Sequence, residues 1–345
     1  MLKAKYIKHI LHFKRPAGTS RGILNNKEAF FIIIWHDENP LIKGIGECGL
    51  LRGLSYDDTP DYEEKLSHLC KNINAVDEKK LEQWPSIRFA IEMAKLDLQT
   101  GGKQILFPSF FTDAKASMDI NGLIWMGEKD FMFLQIKEKL SAGFSCIKMK
   151  IGAIDWDAEL ELLKSIRAKF PVSDIELRVD ANGGFSVSNA PEKLLELSKL
   201  QIHSIEQPIK AGQIDAMAKL CKTSPIPIAL DEELIGVFEY KNKLQLLEKI
   251  KPQYIILKPS LLGGFAACDE WIEIAEKLNI GWWITSALES NIGLNAIAQW
   301  TFTLNNKMPQ GLGTGALYTN NIPSPLKIKK GKIVYDNNIE WNIDK

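Results

Sequence analysis

Cys146-Ile147-Lys148-Met149-Lys150 is a short run that begins apolar and carries two lysines two residues apart. Gly143 and Gly152 bracket it, which is typical of a buried strand. Because alternate side chains of a strand share a face, Lys148 and Lys150 point the same way. Burying two ammonium groups side by side is costly. Either this is an edge strand with both lysines in water, or the fold compensates their charge, and the run alone leaves both interpretations open.

Four further apolar runs, each typical of a strand, end in charged residues about 26 residues apart. Their last residues are Asp180, Glu206, Asp231 and Lys258. Helix-like segments such as residues 189–200 lie between them, so each interval holds a strand, a helix and two loops. Such βα units predict a parallel sheet that closes as a (β/α) barrel, with the chemistry at the carboxyl ends of its strands. In chain order, those ends carry Lys, Asp, Glu, Asp and Lys.

The composition is that of an ordinary globular chain: 345 residues, 45% hydrophobic and 25% charged, with a net charge of +0. No basic excess favours nucleic acid or an anionic membrane as a partner. The five cysteines form no CxxC pair, which fits a reducing cytosol and argues against a thiolate zinc site. No signal-type run follows Met1, and the apolar stretch Ala29–Trp35 is too short to span a membrane. We therefore expect a cytoplasmic protein, and nothing in the sequence sets its oligomeric state.

Three segments divide the chain in the predicted organisation: an α+β capping domain over residues 1–110, the barrel over 111–315, and a tail over 316–345 that returns to the cap. In the cap we expect strands at Tyr6–Phe13, Ala29–Trp35 and Leu41–Gly46, loops at 16–22 and 49–55, and helices over 61–72 and from an N-cap at Ser86 to Gly101-Gly102. In the barrel we expect a first strand near 118–121, a seventh at Gly281–Ser286 and a weaker eighth at Pro309–Gly313, followed by a terminal hairpin over 328–335.

Three carboxylates at neighbouring strand ends repel one another unless a cation lies between them. Asp180, Glu206 and Asp231 offer only oxygen atoms, which suit a hard ion, Mg²⁺ above all, with Mn²⁺ as a substitute. The alternative is three unrelated surface acids at loop starts. Their recurrence in successive units, flanked by strands that carry lysines, favours the metal site.

Lys150 and Lys258 would face each other across that metal. A lysine that acts as a base at neutral pH needs a pKa of about 7–8, roughly three units below that of a free lysine. Burial and a nearby cation both disfavour the ammonium form, and three units correspond to about 4 kcal/mol. The suited chemistry is removal of a proton next to a carboxylate, with the metal holding the enediolate that forms.

This order of strand ends resembles that of the enolase superfamily. The matching motifs are Lys-x-Lys at 148–150, Asp-x-Asn at 180–182, Glu-Gln-Pro at 206–208, Asp-Glu at 231–232 and Lys-Pro at 258–259. The superfamily uses a Lys or His base with Mg²⁺, and lysines on both sides resemble its muconate-lactonizing-enzyme subgroup. The resemblance implies an α/β fold, a (β/α)7β modified TIM barrel, with an α+β capping domain formed by the N-terminal segment and the C-terminal tail.

Residue by residue, the resemblance implies a metal triad, two catalytic lysines and three substrate-binding residues: Asp180, Glu206 and Asp231; Lys150 and Lys258; Lys148, Asn182 and Ser286. Arg178 shares a strand face with Asp180, so we expect it to support the site from inside the barrel, with plain barrel packing as the alternative. Glu232 either supports the metal site or is an ordinary loop acid. Loops 19–22 and 49–55 match the two cap loops that close over substrate in the family.

Residues 285–294 and 310–315 resemble the corresponding segments of o-succinylbenzoate synthases. Dipeptide epimerases of the subgroup carry Asp-x-Asp where this chain has Gly313-Thr314-Gly315, which argues against a substrate with an amino group. The same glycines are a weak phosphate-loop signal, since no Lys-Ser/Thr follows them. Mandelate-racemase relatives need a histidine near the seventh strand, and none of the five histidines lies there.

The resemblance therefore implies a Mg²⁺-dependent syn dehydration of 2-succinyl-6-hydroxy-2,4-cyclohexadiene-1-carboxylate to 2-succinylbenzoate, a step of menaquinone biosynthesis. The expected partner is a small carboxylate, with no nucleic acid and no membrane. Two alternatives stay open. An N-succinylamino-acid racemase uses the same residues but needs Lys258 neutral half the time, and a non-catalytic barrel would show no Mg²⁺ dependence.

Overall fold

The computed structural model describes residues 1–19, 22–152 and 154–343. It begins with an antiparallel sheet of three strands in the order β1-β2-β3, which are Leu2–Thr19 (β1), Gly22–His36 (β2) and Asn39–Cys48 (β3). The central strand β2 is buried continuously from Ala29 to Ile34. This burial explains why the apolar run of residues 29–35 forms the middle of the sheet.

The predicted loop over residues 16–22 is wrong for most of its length. β1 continues to Thr19, which pairs with Gly22, after a register shift just before Ala17. Pro16 lies within this irregular stretch, where its missing N–H is tolerated because the strand ladder is interrupted. Buried Ala17 packs on the barrel and so anchors the extended hairpin. Residues 20 and 21 of this loop lie outside the described residues.

Two helices complete the cap, Tyr62–Lys71 (α1) and Pro85–Gln99 (α2), close to the predicted ranges. The N-cap prediction for Ser86 is wrong, because α2 begins at Pro85 and Trp84 is the capping position. Proline is favoured at the first helical position, since its missing N–H has no partner there. Asp57 instead satisfies the helix start, accepting from the Ser86 N–H at 2.9 Å and from its hydroxyl at 2.6 Å.

The predicted first barrel strand near residues 118–121 is only partly right, because Ile120 bridges in parallel to Gln310 whereas residues 117–119 lie outside the barrel sheet. Ser117–Asp119 (β4) pairs with the C-terminal hairpin, and the barrel begins at Gly122–Ile124 (β5). Seven parallel strands then follow one another in chain order around the sheet. The remaining six are Cys146–Lys150 (β6), Glu176–Asp180 (β7), Ser204–Glu206 (β8), Ile228–Leu230 (β9), Tyr254–Leu257 (β10) and Gly281–Ile284 (β11).

Helices alternate with these strands as the spacing predicts. They are Lys129–Ser141 (α3), Trp156–Arg167 (α4), Ala190–Ser198 (α5), Ile214–Thr223 (α6), Tyr240–Ile250 (α7), Pro259–Leu262 (α8), Gly264–Lys277 (α9) and Asn291–Thr303 (α10). The weak eighth strand at residues 309–313 forms only two single parallel bridges. Gln310 bridges to Ile120 and Gly311 to Thr285, so this segment closes the ring between β11 and the residues that precede β5.

The tail forms the predicted hairpin, Leu326–Lys329 (β12) and Lys332–Tyr335 (β13). β13 pairs with β4 at the edge of the barrel rather than with the cap sheet. Further along, Trp341 and Ile343 pack against a cluster of buried cap residues that includes Phe31 and Ile33. In the described ranges, no helix has both the length and the apolar content needed to cross a bilayer.

Candidate active site

The carboxyl ends of β6 and β7 place two lysines around one aspartate. Lys148 and Lys150 are 5% and 8% exposed, so β6 is a core strand and the edge-strand alternative is wrong. Lys150 pairs in register with Asp180 on the neighbouring strand. The Nζ of Lys150 lies 2.9 Å from Asp180 Oδ2, and the Nζ of Lys148 lies 3.2 Å from the same oxygen. One carboxylate therefore compensates both ammonium groups.

Glu206 and Asp231, at the ends of β8 and β9, continue the same array. Lys148 Nζ donates to Glu206 Oε2 at 2.5 Å. Lys258, directly after β10, donates to Asp231 Oδ2 and lies 3.7 Å from Glu206 Oε1. None of the three carboxylates is more than 3% exposed. The structure thus brings the predicted metal ligands and lysines together as a buried array of alternating charges.

Asn182 connects this array to Glu232. Its side-chain oxygen accepts from Lys150, and its Nδ2 donates to Glu232 Oε1 at 3.0 Å. Its backbone N–H donates to Asp180 Oδ1 at 3.0 Å, with a φ of +43°. Backbone in this region is strained for a residue with a side chain and is common at functional sites. Glu232 therefore contacts the site through Asn182, and its support of the metal site stays a prediction.

The three carboxylates differ in their electrostatics although all are buried. For Asp180, burial favours the neutral form, but Lys150, Lys148 and Lys258 outweigh it and hold the pKa below its ordinary value. Burial and the neighbouring Asp180 raise the pKa of Glu206 to about 7. Burial also raises the pKa of Asp231, against the effect of Lys258. Burial is thus the main cause of the two raised pKa values, and the three lysines are the cause of the lowered one.

Two lysines of the array have raised pKa values. Burial disfavours the ammonium of Lys148, but Glu206 and Asp180 overcome this, and its pKa lies above the ordinary value. Lys258 behaves in the same way, because Asp231 and Glu206 outweigh burial and raise its pKa. The neighbouring carboxylates therefore favour the charged form of Lys258. A permanently charged Lys258 suits an electrostatic role.

The donor set fits a hard cation although the ammonium groups lie between the carboxylates. Across the described ranges, no three His, Cys, Asp or Glu side chains are grouped as a metal site. Lys148 joins Asp180 to Glu206, and Lys258 joins Glu206 to Asp231. No described group donates a hydrogen bond to the buried Glu206 Oε1. An oxygen with that unused capacity, among oxygen-only neighbours, is the type of ligand that Mg²⁺ prefers.

A cavity of about 460 Å³ opens above the array. Lys148, Lys150, Asp180 and Lys258 contribute to its wall, together with polar and apolar residues from both domains: Asn182, Ser286, Trp125, Leu288, Phe13 and Leu24. Residues 51–54 of the second predicted cap loop also line it. A site of this size, with convergent charges at one side and apolar walls, suits a small carboxylate.

Ser286 lies at the cavity wall, whereas Arg178 lies inside the barrel. The Ser286 hydroxyl is 2.7 Å from the Thr314 hydroxyl and faces the cavity. Arg178 points into the barrel as predicted, but its Nε donates to Glu176 at 2.6 Å and its Nη1 to the Pro309 carbonyl at 2.9 Å. Its guanidinium also lies 4.2 Å from the centroid of the Trp283 ring. These contacts tie β7 to the closing segment, so they favour barrel packing.

Trp125 is a site residue that the sequence analysis missed. Its ring centroid lies 5.9 Å from Lys150 Nζ, and the residue lines the cavity one position after β5 ends. The other site residues also follow strand ends, so the same rule would have found Trp125 had β5 been placed correctly. The sequence pointed to Gln207 only as part of the Glu-Gln-Pro motif. In the structure its Oε1 accepts a hydrogen bond from the Asp231 N–H at 3.2 Å.

The fold and the site define the class of protein. The chain belongs to the family described as Enolase C-terminal domain-like, which matches residues 132–338. A solved dipeptide epimerase from Enterococcus faecalis V583, complexed with Mg and the dipeptide L-Leu-L-Tyr, has the same fold. It has a TM-score of 0.83 at 20% identity, and the match covers 98% of each chain.

More similar relatives identify a particular branch of the family. The chain is 47% identical to the o-succinylbenzoate synthase of Desulfotalea psychrophila, over 96% of this chain and 98% of that protein. The crystal structure of MenC from the same organism matches with a TM-score of 0.85 at 43% identity, covering 96% of this chain and 99% of that one. The predicted enolase-superfamily membership and barrel architecture are thereby confirmed.

Proposed function

We propose that this protein is an o-succinylbenzoate synthase, a carbon–oxygen lyase of menaquinone biosynthesis. It dehydrates 2-succinyl-6-hydroxy-2,4-cyclohexadiene-1-carboxylate to 2-succinylbenzoate. The observation that carries the proposal is the buried array of lysines and carboxylates beside the cavity, in a chain that matches a synthase over nearly its whole length. The array supplies a base and a fixed positive charge on opposite sides of the carboxylates.

Asp180, Glu206 and Asp231 are the proposed ligands of Mg²⁺, with Mn²⁺ as a substitute. When bound, the ion supplies Lewis-acid stabilisation of the charge that develops on the substrate carboxylate. Lys148 and Asn182, which already contact Glu206 and Lys150, are proposed to hold those groups and the substrate carboxylate in place.

Lys150 is the proposed base and acid. As the neutral amine it takes the proton from the ring carbon next to the carboxylate, and the C–H electron pair passes into the carboxylate. The resulting ammonium then returns that proton to the hydroxyl as the C–O bond breaks and water leaves. Because one residue serves both steps from one side of the ring, the elimination is syn. The aromatic product conserves all atoms apart from the water released.

Lys258 stays protonated in this scheme and stabilises the negative charge on the carboxylate oxygens. Removing a single donor from such a preorganised site typically costs 10²- to 10³-fold in rate. The apolar walls, including Trp125 and Leu288, exclude water and pack against the ring. Ser286, at the far wall, is proposed to bind the substrate as well. We also place the enzyme in the cytoplasm, in keeping with its five buried free thiols.

The dehydration assay with and without EDTA tests the function. We expect turnover that needs Mg²⁺, is abolished by EDTA, and returns on adding Mg²⁺ or Mn²⁺. An N-succinylamino acid is the matched control substrate, with solvent deuterium incorporation as its readout. Exchange of that substrate at a higher kcat/KM than dehydration would make the protein a racemase. Activity that is indifferent to EDTA would refute the metal site.

A further inference from the structure

Glu289 is a fully buried carboxylate that the mechanism above does not use. One of its oxygens accepts from the Ser260 hydroxyl, and the other accepts from the Ala287 N–H at 2.6 Å. Ser260 lies two residues after Lys258, and Ala287 lies beside Ser286 in the cavity wall. One carboxylate therefore joins the segment that follows β10 to the segment that follows β11.

The cap contributes charge to the same place. Lys27, on β2, is 4% exposed and its Nζ lies 4.0 Å from Glu47 Oε1. None of the described groups accepts a hydrogen bond from this Nζ, and Glu47 is the carboxylate paired with it. Glu47 is bound in turn at the start of α10, by the Ser290 N–H at 2.8 Å and the Gly293 N–H at 2.9 Å. Burial raises the pKa of Glu289, and the Lys27 charge opposes that rise.

The backbone of the cap loop rests directly on this cluster. Gly49 begins the loop 49–55, and a Cβ at this position would lie 2.4 Å from Ser260 Oγ and 3.0 Å from Glu289 Cγ. No larger residue fits without moving one of them. Residues 51–54 of the same loop line the cavity. The position of the loop over the substrate is thus coupled by contact to the position of Glu289.

We propose that Glu289 is a positioning residue, which sets Lys258 and the cavity wall at 286–288 relative to each other and to the cap loop 49–55. This inference rests on the proposed function, because Lys258 is the group whose placement matters. A displacement of about 1 Å in a catalytic group can lower the rate by as much as 10²-fold.

Glu289→Ala and Glu289→Gln separate positioning from simple loss of charge. Glutamine can accept from the Ala287 N–H through its oxygen and donate to the Ser260 hydroxyl through its amide, so it preserves both links. We expect kcat to fall about 10- to 100-fold in Glu289→Ala, with KM within about threefold, and to recover to within about fivefold of wild type in Glu289→Gln. Ser260→Ala removes one link only and should lower kcat by about 5- to 10-fold, which keeps the test valid if Glu289→Ala does not fold.

Glu92→Ala is the matched control. Glu92 is a partly buried carboxylate between cap and barrel, and it accepts from the Phe265 N–H at 2.6 Å at the start of α9. It contacts neither strand-end segment, so its removal should lower the Tm but leave kcat within about twofold of wild type. A purely structural role for Glu289 would produce the same pattern in Glu289→Ala as in Glu92→Ala.

Amide hydrogen exchange gives a readout that does not depend on turnover. In Glu289→Ala, exchange of the Ala287 amide should accelerate at least about tenfold, while Glu92→Ala leaves it unchanged. Wild-type kcat in Glu289→Ala, equal impairment of the Ala and Gln variants, or unchanged exchange at Ala287 would each overturn the proposal. Failure of the wild-type protein to dehydrate the substrate would instead refute the proposed function, and the exchange result would still decide the role of Glu289.

Discussion

Lys258→Met removes one ammonium from the array and keeps most of the side-chain volume. In the wild-type protein this ammonium donates to Asp231 Oδ2 and lies 3.7 Å from Glu206 Oε1. Both carboxylates are almost completely buried, at 3% and 2% exposure. The substitution therefore leaves Asp231 without the cation that it contacts and leaves Glu206 with Lys148 alone.

The expected loss of stability follows from this burial. Removing one partner of a buried ion pair typically costs about 3–5 kcal/mol, because the remaining charge is uncompensated. We expect this loss in the metal-free protein. Mg²⁺ bound to the same carboxylates restores positive charge, so the difference from wild type should shrink to less than half at saturating Mg²⁺.

The expected loss of activity is independent of stability. A unit charge about 4 Å from the developing negative charge contributes about 4 kcal/mol at an effective dielectric constant of about 20. Losing this contribution lowers kcat by about 10³-fold. Since the metal and the base remain, some turnover should persist above the uncatalysed rate.

Urea unfolding in EDTA and in Mg²⁺, together with the dehydration assay, measures both effects. Lys241→Met, at a lysine in α7 outside the site, is the control for loss of a lysine and should change neither quantity. If Lys258→Met unfolds with the wild-type free energy in EDTA, or turns over within tenfold of wild type, the charge compensation described here is wrong.

Three further predictions follow from the same geometry. Lys150→Ala should lower the dehydration kcat by at least about 10³-fold in a protein that still folds, because Asp180 keeps Lys148 as a partner, and ordinary turnover would refute Lys150 as the base. Burial raises the pKa of Glu92 from 4.5 to about 7. Between these pH values the folded protein binds a proton that the unfolded chain lacks. The free energy of unfolding should therefore fall by about 3 kcal/mol as the pH rises from 4.5 to 7. Glu92→Gln should remove this fall, and equal pH slopes in urea unfolding at pH 4.5, 6 and 8 would contradict it. Gly49→Ala places a Cβ 2.4 Å from Ser260 Oγ and should lower both the Tm and kcat; a fully active variant with the wild-type Tm would show that the cap loop does not rest on Ser260.

The strand ends of the barrel were predictable because their signal is local. Each of β6 to β11 is an apolar run with a charged or polar residue at or just after its end, and parallel βα units place those ends on one side. The positions of Asp180, Glu206 and Lys258 followed from that rule. We expected acidic groups close to Lys148, because two buried lysines are tolerable only when their charges are compensated.

The errors arose where distant contacts decide the structure. Residues 117–119 look like a barrel strand, but they pair with β13, more than 200 residues away. The hairpin extends beyond Ala17 because Ala17 packs on the barrel. The small and polar residues of this segment give no local sign of that contact. The raised pKa of Lys258 is a property that the sequence could not give, because it depends on the distances to Asp231 and Glu206.

A crystal structure of the protein with Mn²⁺ and 2-succinylbenzoate tests the central claim most directly, because the anomalous signal of manganese locates the ion. We expect one ion bound by oxygens of Asp180, Glu206 and Asp231, with the Nζ atoms of Lys150 and Lys258 on opposite sides of the bound carboxylate. An ion held elsewhere, or a product bound with the three carboxylates still joined only by lysines, would contradict it.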